Sequence, residues 1–86
     1  MDINQLISIV KNKIEKEIRV ENIRIEDKSY IHKNHSGNID GKYHLKISIK
    51  SEELKKMRKI ESNKKIYKIL EKELKEYIHS IQILIS

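Results

Sequence analysis

Ile3, Leu6, Ile7, Val10, Ile14 and Ile18 recur at spacings of three and four along the first part of the chain. That spacing lines one face of a 3.6-residue period and predicts an amphipathic helix, with Asp2 placed to cap its start. The pattern breaks near Arg19. From Asn22 to Asp27 the period drops to two, Ile23 and Ile25 alternating with Arg24 and Glu26, as in a half-buried strand. Residues 29–41 (SYIHKNHSGNIDG) form a polar stretch that holds both glycines, and Asp40-Gly41 is a turn signal. This is long for a hairpin connection, and long connections in small domains often carry function.

Alternation resumes from Lys42 to Lys50. Tyr43, Leu45, Ile47 and Ile49 take one face, and His44, Lys46, Ser48 and Lys50 the other. Ser51 caps a short helix with Glu52 and Glu53 in its first turn, where they favour the helix dipole. That helix is expected to end around Arg58. A turn through Lys59 to Glu61 leads to Ser62 as a second N-cap. Ile66, Ile69, Leu70, Leu74 and Tyr77 then mark the buried stripe of a helix of about four turns. Ile78 to Ile85 reads as a last strand, with His79, Ile81, Ile83 and Ile85 on one face. The order is helix, strand, strand, short helix, helix, strand, within one domain spanning residues 1–86. The first two strands pair antiparallel, and the helical crossover returns the last strand parallel to the second, right-handed. The expected architecture is α+β, an αββααβ sandwich of a three-stranded mixed sheet with its helices packed on one face.

Composition narrows the function classes. Of 86 residues, 18 are Ile, and Cys, Trp, Phe, Pro and Ala are absent. A disulfide scaffold, a Cys-ligated zinc module and a cysteine nucleophile are excluded. The longest uninterrupted apolar run is Ile83 to Ile85, too short to span a membrane, and the first residues do not read as a signal peptide. The expected location is the cytoplasm. No Ser-His-Asp spacing and no phosphate-cradling glycine loop appears, and Glu15, Glu17, Glu71, Glu73 and Glu76 are expected on solvated helix faces. An enzyme is therefore not expected. Asn34-His35-Ser36 fits a glycosylation sequon, without meaning for a cytoplasmic chain.

The formal charge is +6. Lys55, Lys56, Arg58, Lys59, Lys64, Lys65 and Lys68 against Glu61 account for all of it. They flank the predicted turn between two helices, where a phosphate backbone can dock against a helix N-terminus. An acidic protein partner suits the same surface. The Lys-, Ile- and Asn-rich, Ala-free composition also matches A/T-rich codons, so part of this charge follows from base composition alone. The four histidines, His32, His35, His44 and His79, are the only soft metal ligands, and none sits in a tight metal-binding motif.

These residues carry a resemblance. The chain resembles the BolA family of small αββααβ proteins, whose fold is related to the type II KH domain. The family's Asp-x-Ser-x-x-His-x-Gly-His motif reads here as Asp27, Ser29, His32, Asn34 and His35. Its Thr-His-Phe strand start reads as Tyr43-His44-Leu45. Its strand-closing Ser is Ser51, the Phe three residues on is Leu54, the helix tyrosine is Tyr67, and its Ile-His-Ala is Ile78-His79-Ser80. Departures are Lys56 for a glycine, Asn34 for another, and Ser62-Asn63-Lys64 for an Arg-His-Arg.

The resemblance implies a non-catalytic adaptor. BolA-like proteins pair with monothiol glutaredoxins and share a [2Fe-2S] cluster, which needs four ligands. The glutaredoxin and its bound glutathione supply thiolates. The BolA side supplies the histidine that starts the last strand, here His79, and one loop residue, here His35 or His32. His35 is favoured because it lies nearer Gly37. Neutral imidazole is the binding form, so affinity is expected to fall below about pH 6. His44 divides evenly between packing and assisting the site. Some BolA-like proteins regulate transcription, so DNA is the alternative partner. The Gly-x-x-Gly clamp of a KH domain is absent, however, since the corresponding stretch reads Lys59-Ile60-Glu61-Ser62. The chain is expected to be a monomer alone; a weak homodimer is compatible with the sequence but not signalled by it.

Overall fold

The computed structural model describes residues 1–29 and 42–86. The first helix, α1, runs Ile3–Glu17. Its start is fixed by a reciprocal capping box: the Asp2 carboxylate accepts from the Gln5 N–H (2.8 Å), and the Gln5 side chain accepts from the Asp2 N–H (3.1 Å). Leu6, Val10 and Ile14 form its buried stripe, and Ile18 continues the stripe beyond the cap.

Two strands follow, β1 at Asn22–Asp27 and β2 at Tyr43–Lys50, and β3 at Ile78–Ile85 closes the fold. The sheet order is β1-β2-β3, with β1 antiparallel and β3 parallel to the central strand. This is the mixed α+β sheet that the alternation predicts. The register stacks Ile23, Ile49 and Ile85 in one row and Ile25, Ile47 and Ile83 in the next. These rows face the helices. The opposite face presents Arg24, Ser48 and Leu84, then Glu26, Lys46 and Gln82. The core lies between α1 and the central strand. Leu6, Val10, Ile14 and Ile18 meet Leu45, Ile47 and Ile49, with Leu54, Ile66, Leu70 and Ile78 closing the sides.

The helical crossover differs in detail from the sequence expectation. It comprises α2 (Glu52–Lys55), α3 (Lys59–Ile69) and α4 (Glu71–Glu76). Ser51 caps α2 as expected: its Oγ accepts from the Leu54 N–H (3.2 Å) and donates to the Arg19 carbonyl (2.8 Å). However, α2 ends at Lys55, not near Arg58. The residues expected as a turn, Lys59 to Glu61, are the first turn of α3, so Ser62 is not a cap. Ser62 lies inside the helix, buried, and its Oγ donates back to the Lys59 carbonyl (3.0 Å). The expected single long helix is interrupted at Leu70, whose φ of −99° and ψ of 17° depart from helical values.

Glu73 departs from expectation more sharply. Rather than facing solvent it is 4% exposed, and both carboxylate oxygens accept from the Lys13 ammonium at 2.9 and 2.7 Å. The pair ties α4 to α1 across the helical layer. No helix among the described residues is long and apolar enough to cross a membrane.

Candidate functional site

The start of β3 contains one residue too many. Tyr43 lies opposite Ile78, but the next residue of β2, His44, lies opposite Ser80. His79 is therefore a bulge residue, a device that re-aims side chains and is rare in parallel pairs. The expectation that His79 shares a face with Ile81, Ile83 and Ile85 fails for this reason. Ile78 is buried, the alternation slips at His79, and Ile81, Ile83 and Ile85 return to the core side. The sequence holds a trace of this. The apolar positions 78 and 81 are three apart in a strand that otherwise alternates, and an odd spacing demands an extra residue.

The bulge brings two histidines together on the sheet face away from the helices. The rings of His44 and His79 have centroids 4.9 Å apart and are tilted by 53°. Their environments differ. His44 is 6% exposed, whereas His79 is exposed to solvent. The Nδ1 of His44 lies 2.6 Å from the Ser80 Oγ, a hydrogen bond whose direction depends on the imidazole tautomer. His44 is thereby held against the sheet while its neighbour faces outward. A shallow depression beside the pair is lined by Lys28, His44, Lys46, Ser80 and Gln82.

A short polar chain anchors this corner from the β1 side. The Asp27 carboxylate accepts from the Ser29 N–H (2.9 Å), an Asx-type turn at the end of the strand. The Ser29 Oγ then accepts from the His44 N–H (3.1 Å), and the His44 carbonyl accepts from the Lys28 N–H (2.7 Å). The antiparallel ladder ends here, and the serine takes the place of the next ladder acceptor. Asp27 and Ser29 thus locate the His44 main chain.

Of the sequence-derived ligand candidates, only His79 falls within the described residues. His32 and His35 lie outside them. Among the described residues no group of three or more His, Asp or Glu side chains is gathered to hold a metal. His79 offers an accessible imidazole, and the described part of the chain offers no complete coordination sphere.

Four of the seven basic residues line two separate depressions. Lys65 and Lys68 face α1, where with Lys13, Lys16, Glu17 and Ile69 they line a cleft. Lys55 and Lys59 border a second groove beside the end of β3. Lys65 donates to the Glu53 carboxylate at 2.9 Å, and Arg58 lies 3.7 Å from Glu61. The Lys65 hydrogen bond, followed by that from the Arg19 N–H, holds the Glu53 carboxyl below its ordinary value of 4.5. Among the described residues Lys55, Lys56, Lys59, Lys64 and Lys68 have no carboxylate within ion-pair distance. The α3 N-cap residue, Arg58, makes no side-chain capping bond, so the first N–H groups of α3 have no side-chain cap.

Comparison with known proteins agrees with this architecture. The chain is 32% identical over 75 residues to the DNA-binding transcriptional regulator BolA of Haemophilus influenzae, covering 87% of this chain and 70% of that one. Among solved structures, BolA1 from Arabidopsis thaliana superimposes with a TM-score of 0.77 at 28% identity, over 92% of this chain and 87% of its own. The BolA domain of SufE1 from Arabidopsis thaliana gives a TM-score of 0.78 at 24% identity, over 100% and 93%, a likeness of fold. The BolA family (BolA-like protein) matches residues 14–86, from within α1 to beyond β3, and the chain belongs to that family.

Proposed function

We propose that this protein is a non-catalytic cytoplasmic adaptor that binds a monothiol glutaredoxin and contributes histidine ligands to a shared [2Fe-2S] cluster, in iron–sulfur assembly, trafficking or iron-status signalling. The observation that carries the reading is the exposed His79 imidazole at the β3 bulge, seated against a His44 that Ser80 holds in place. Support on a rigid sheet gives such a ligand a fixed direction, as outer-shell contacts do at metal sites generally. His79 is the first ligand in this reading; the second is His35 or His32, with His35 preferred on sequence grounds. A cluster with imidazole ligands on one iron has a higher reduction potential than an all-thiolate one. The chain's own contribution is to position His79 beside His44 and to present a basic surface to an acidic partner.

The test is a titration into a cluster-loaded monothiol glutaredoxin with glutathione, followed by visible circular dichroism. A new spectrum that is lost in His79→Ala and altered in His44→Ala supports the reading. A spectrum unchanged by His79→Ala refutes the ligand assignment.

Two observations favour a second reading, DNA binding by the 55–68 surface. The relative from Haemophilus influenzae is named as a DNA-binding transcriptional regulator. The start of α3 also lacks a side-chain cap, and among the described residues the nearby Lys55, Lys56, Lys59 and Lys64 have no carboxylate within ion-pair distance, the chemistry that phosphate contacts use. Such binding tolerates His79→Ala, requires these lysines, and weakens steeply as salt rises. Affinity insensitive to salt contradicts it.

A further inference from the structure

We propose that the outer edge of β3 is a self-association surface, on which two copies of this chain pair their β3 strands antiparallel about Ile83. The inference rests on the parity of the ladder. Ser86 donates its N–H to the Ile49 carbonyl and accepts from the Ser51 N–H, so both of its main-chain groups point to β2. Alternation in a parallel ladder then turns Ser80, Gln82 and Leu84 the same way, and turns Ile81, Ile83 and Ile85 to the open edge. Among the described residues no strand pairs with that edge.

The two edges of the sheet are not equivalent. β1 guards its edge with Arg24, Glu26 and Asp27, the charged residues that block sheet extension. β3 reads IHSIQILI, with no Lys, Arg, Asp, Glu or Pro. Its core-side isoleucines are only partly covered, Leu84 is 44% exposed, and a groove lined by Leu54, Met57, Ile83 and Ile85 runs beside it. The pattern is also self-complementary. Antiparallel pairing about Ile83 places Ile81 opposite the Ile85 of a second copy in hydrogen-bonded pairs. It places Gln82 opposite Leu84 in the non-hydrogen-bonded pairs, where side chains lie closer, and it continues the isoleucine rows from one sheet into the next. A second copy fits this edge because the strand that would approach carries the same uncharged alternation. His79 falls outside the paired segment, so the histidine pair stays accessible.

The opposing force is charge, since each copy carries +6 and Lys55 and Lys59 border the groove. Salt therefore strengthens this association by screening, the reverse of its effect on a nucleic-acid complex. The test uses two double variants at exposed positions, Gln82→Glu with Leu84→Glu, and Gln82→Lys with Leu84→Lys. Sedimentation velocity on the parent chain, up to about 1 mM where weak association becomes measurable, is expected to show a dimer that increases with salt. Each variant alone is expected to sediment as a monomer with unchanged far-ultraviolet circular dichroism. Their equimolar mixture is expected to restore the dimer, because residues 82 and 84 of one copy then face residues 84 and 82 of the other with opposite charge. Amide exchange at Ile81, Ile83 and Ile85 should slow with concentration in the parent. A parent that stays monomeric in high salt, or variants that dimerise as the parent does, would overturn the proposal.

Discussion

Removing Lys13 should destabilise the fold far more than removing the charge of its partner. The Glu73 side chain is 5% exposed and that of Lys13 is 38% exposed, so water reaches the ammonium but hardly reaches the carboxylate. Lys13→Met leaves a dehydrated carboxylate with no cation. Breaking a fully buried pair in that way costs about 3–5 kcal/mol, and the partial exposure of Lys13 brings this down to about 2–3 kcal/mol. Glu73→Gln keeps an oxygen that accepts from Lys13 and leaves an ammonium that water can solvate, for about 1 kcal/mol. For a chain of this size about 1 kcal/mol corresponds to roughly 4–8 °C in Tm. The expected falls are therefore roughly 10–20 °C and about 5 °C respectively. Lys13→Met combined with Glu73→Leu should recover most of the first loss, because an apolar pair of similar volume carries no desolvation cost. Urea denaturation at neutral pH, followed by circular dichroism, measures all three. Equal losses below about 0.5 kcal/mol in both single variants, the level of an exposed ion pair, would refute the reasoning.

Three further outcomes follow from contacts described above. Glu53 is held below its ordinary 4.5 chiefly by Lys65, so its stabilising contribution is present above that value and is lost as pH falls through the depressed one. Lys65→Met should move the NMR titration midpoint of Glu53 up toward 4.5, and an unmoved midpoint contradicts the cause assigned here. Ser51→Ala removes both an N-cap acceptor and a buried donor to Arg19, with an expected loss of about 2 kcal/mol in denaturant unfolding; a loss within error means that the cap carries no weight. Ser29→Ala leaves the His44 N–H without its acceptor, for about 1 kcal/mol and faster exchange of that amide, while Ser29→Thr should retain protection.

The elements visible in the sequence are those whose burial imposes a strict period. α1 and the β2 alternation are read directly, because each side chain either meets the core or does not. The α3 boundary is hidden because Ser62 satisfies every local criterion of a cap; what decides otherwise is tertiary burial, which absorbs its hydroxyl into a back-bond to Lys59. Glu73 is indistinguishable along the chain from Glu71 and Glu76, and its cation stands sixty residues away. The site is split in the same manner. His79 is identified by position within a resemblance, but its contact with His44 depends on a pairing between distant strands and on a single-residue slip that plain alternation does not contain.

The parallel crossover also constrains the order in which the molecule assembles. β1 and β2 are neighbours in sequence as well as in space, and their antiparallel pairing needs only a local closure. β3 reaches β2 only after α2, α3 and α4 have been laid over the sheet, and loop-closure entropy must be met before that pairing stabilises anything. Until then the central strand holds an unfinished side, with the main-chain groups of Leu45, Ile47 and Ile49 open to any extended chain nearby. We therefore expect folding rates to respond to substitutions at Leu6 or Ile25, and unfolding rates to respond to those at Ile81 or Ile85. A late-docking strand makes the interval before docking, rather than the finished structure, the time when this isoleucine-rich chain is most exposed to aggregation, and slowed folding in Ile85→Val with unchanged unfolding would reverse that order.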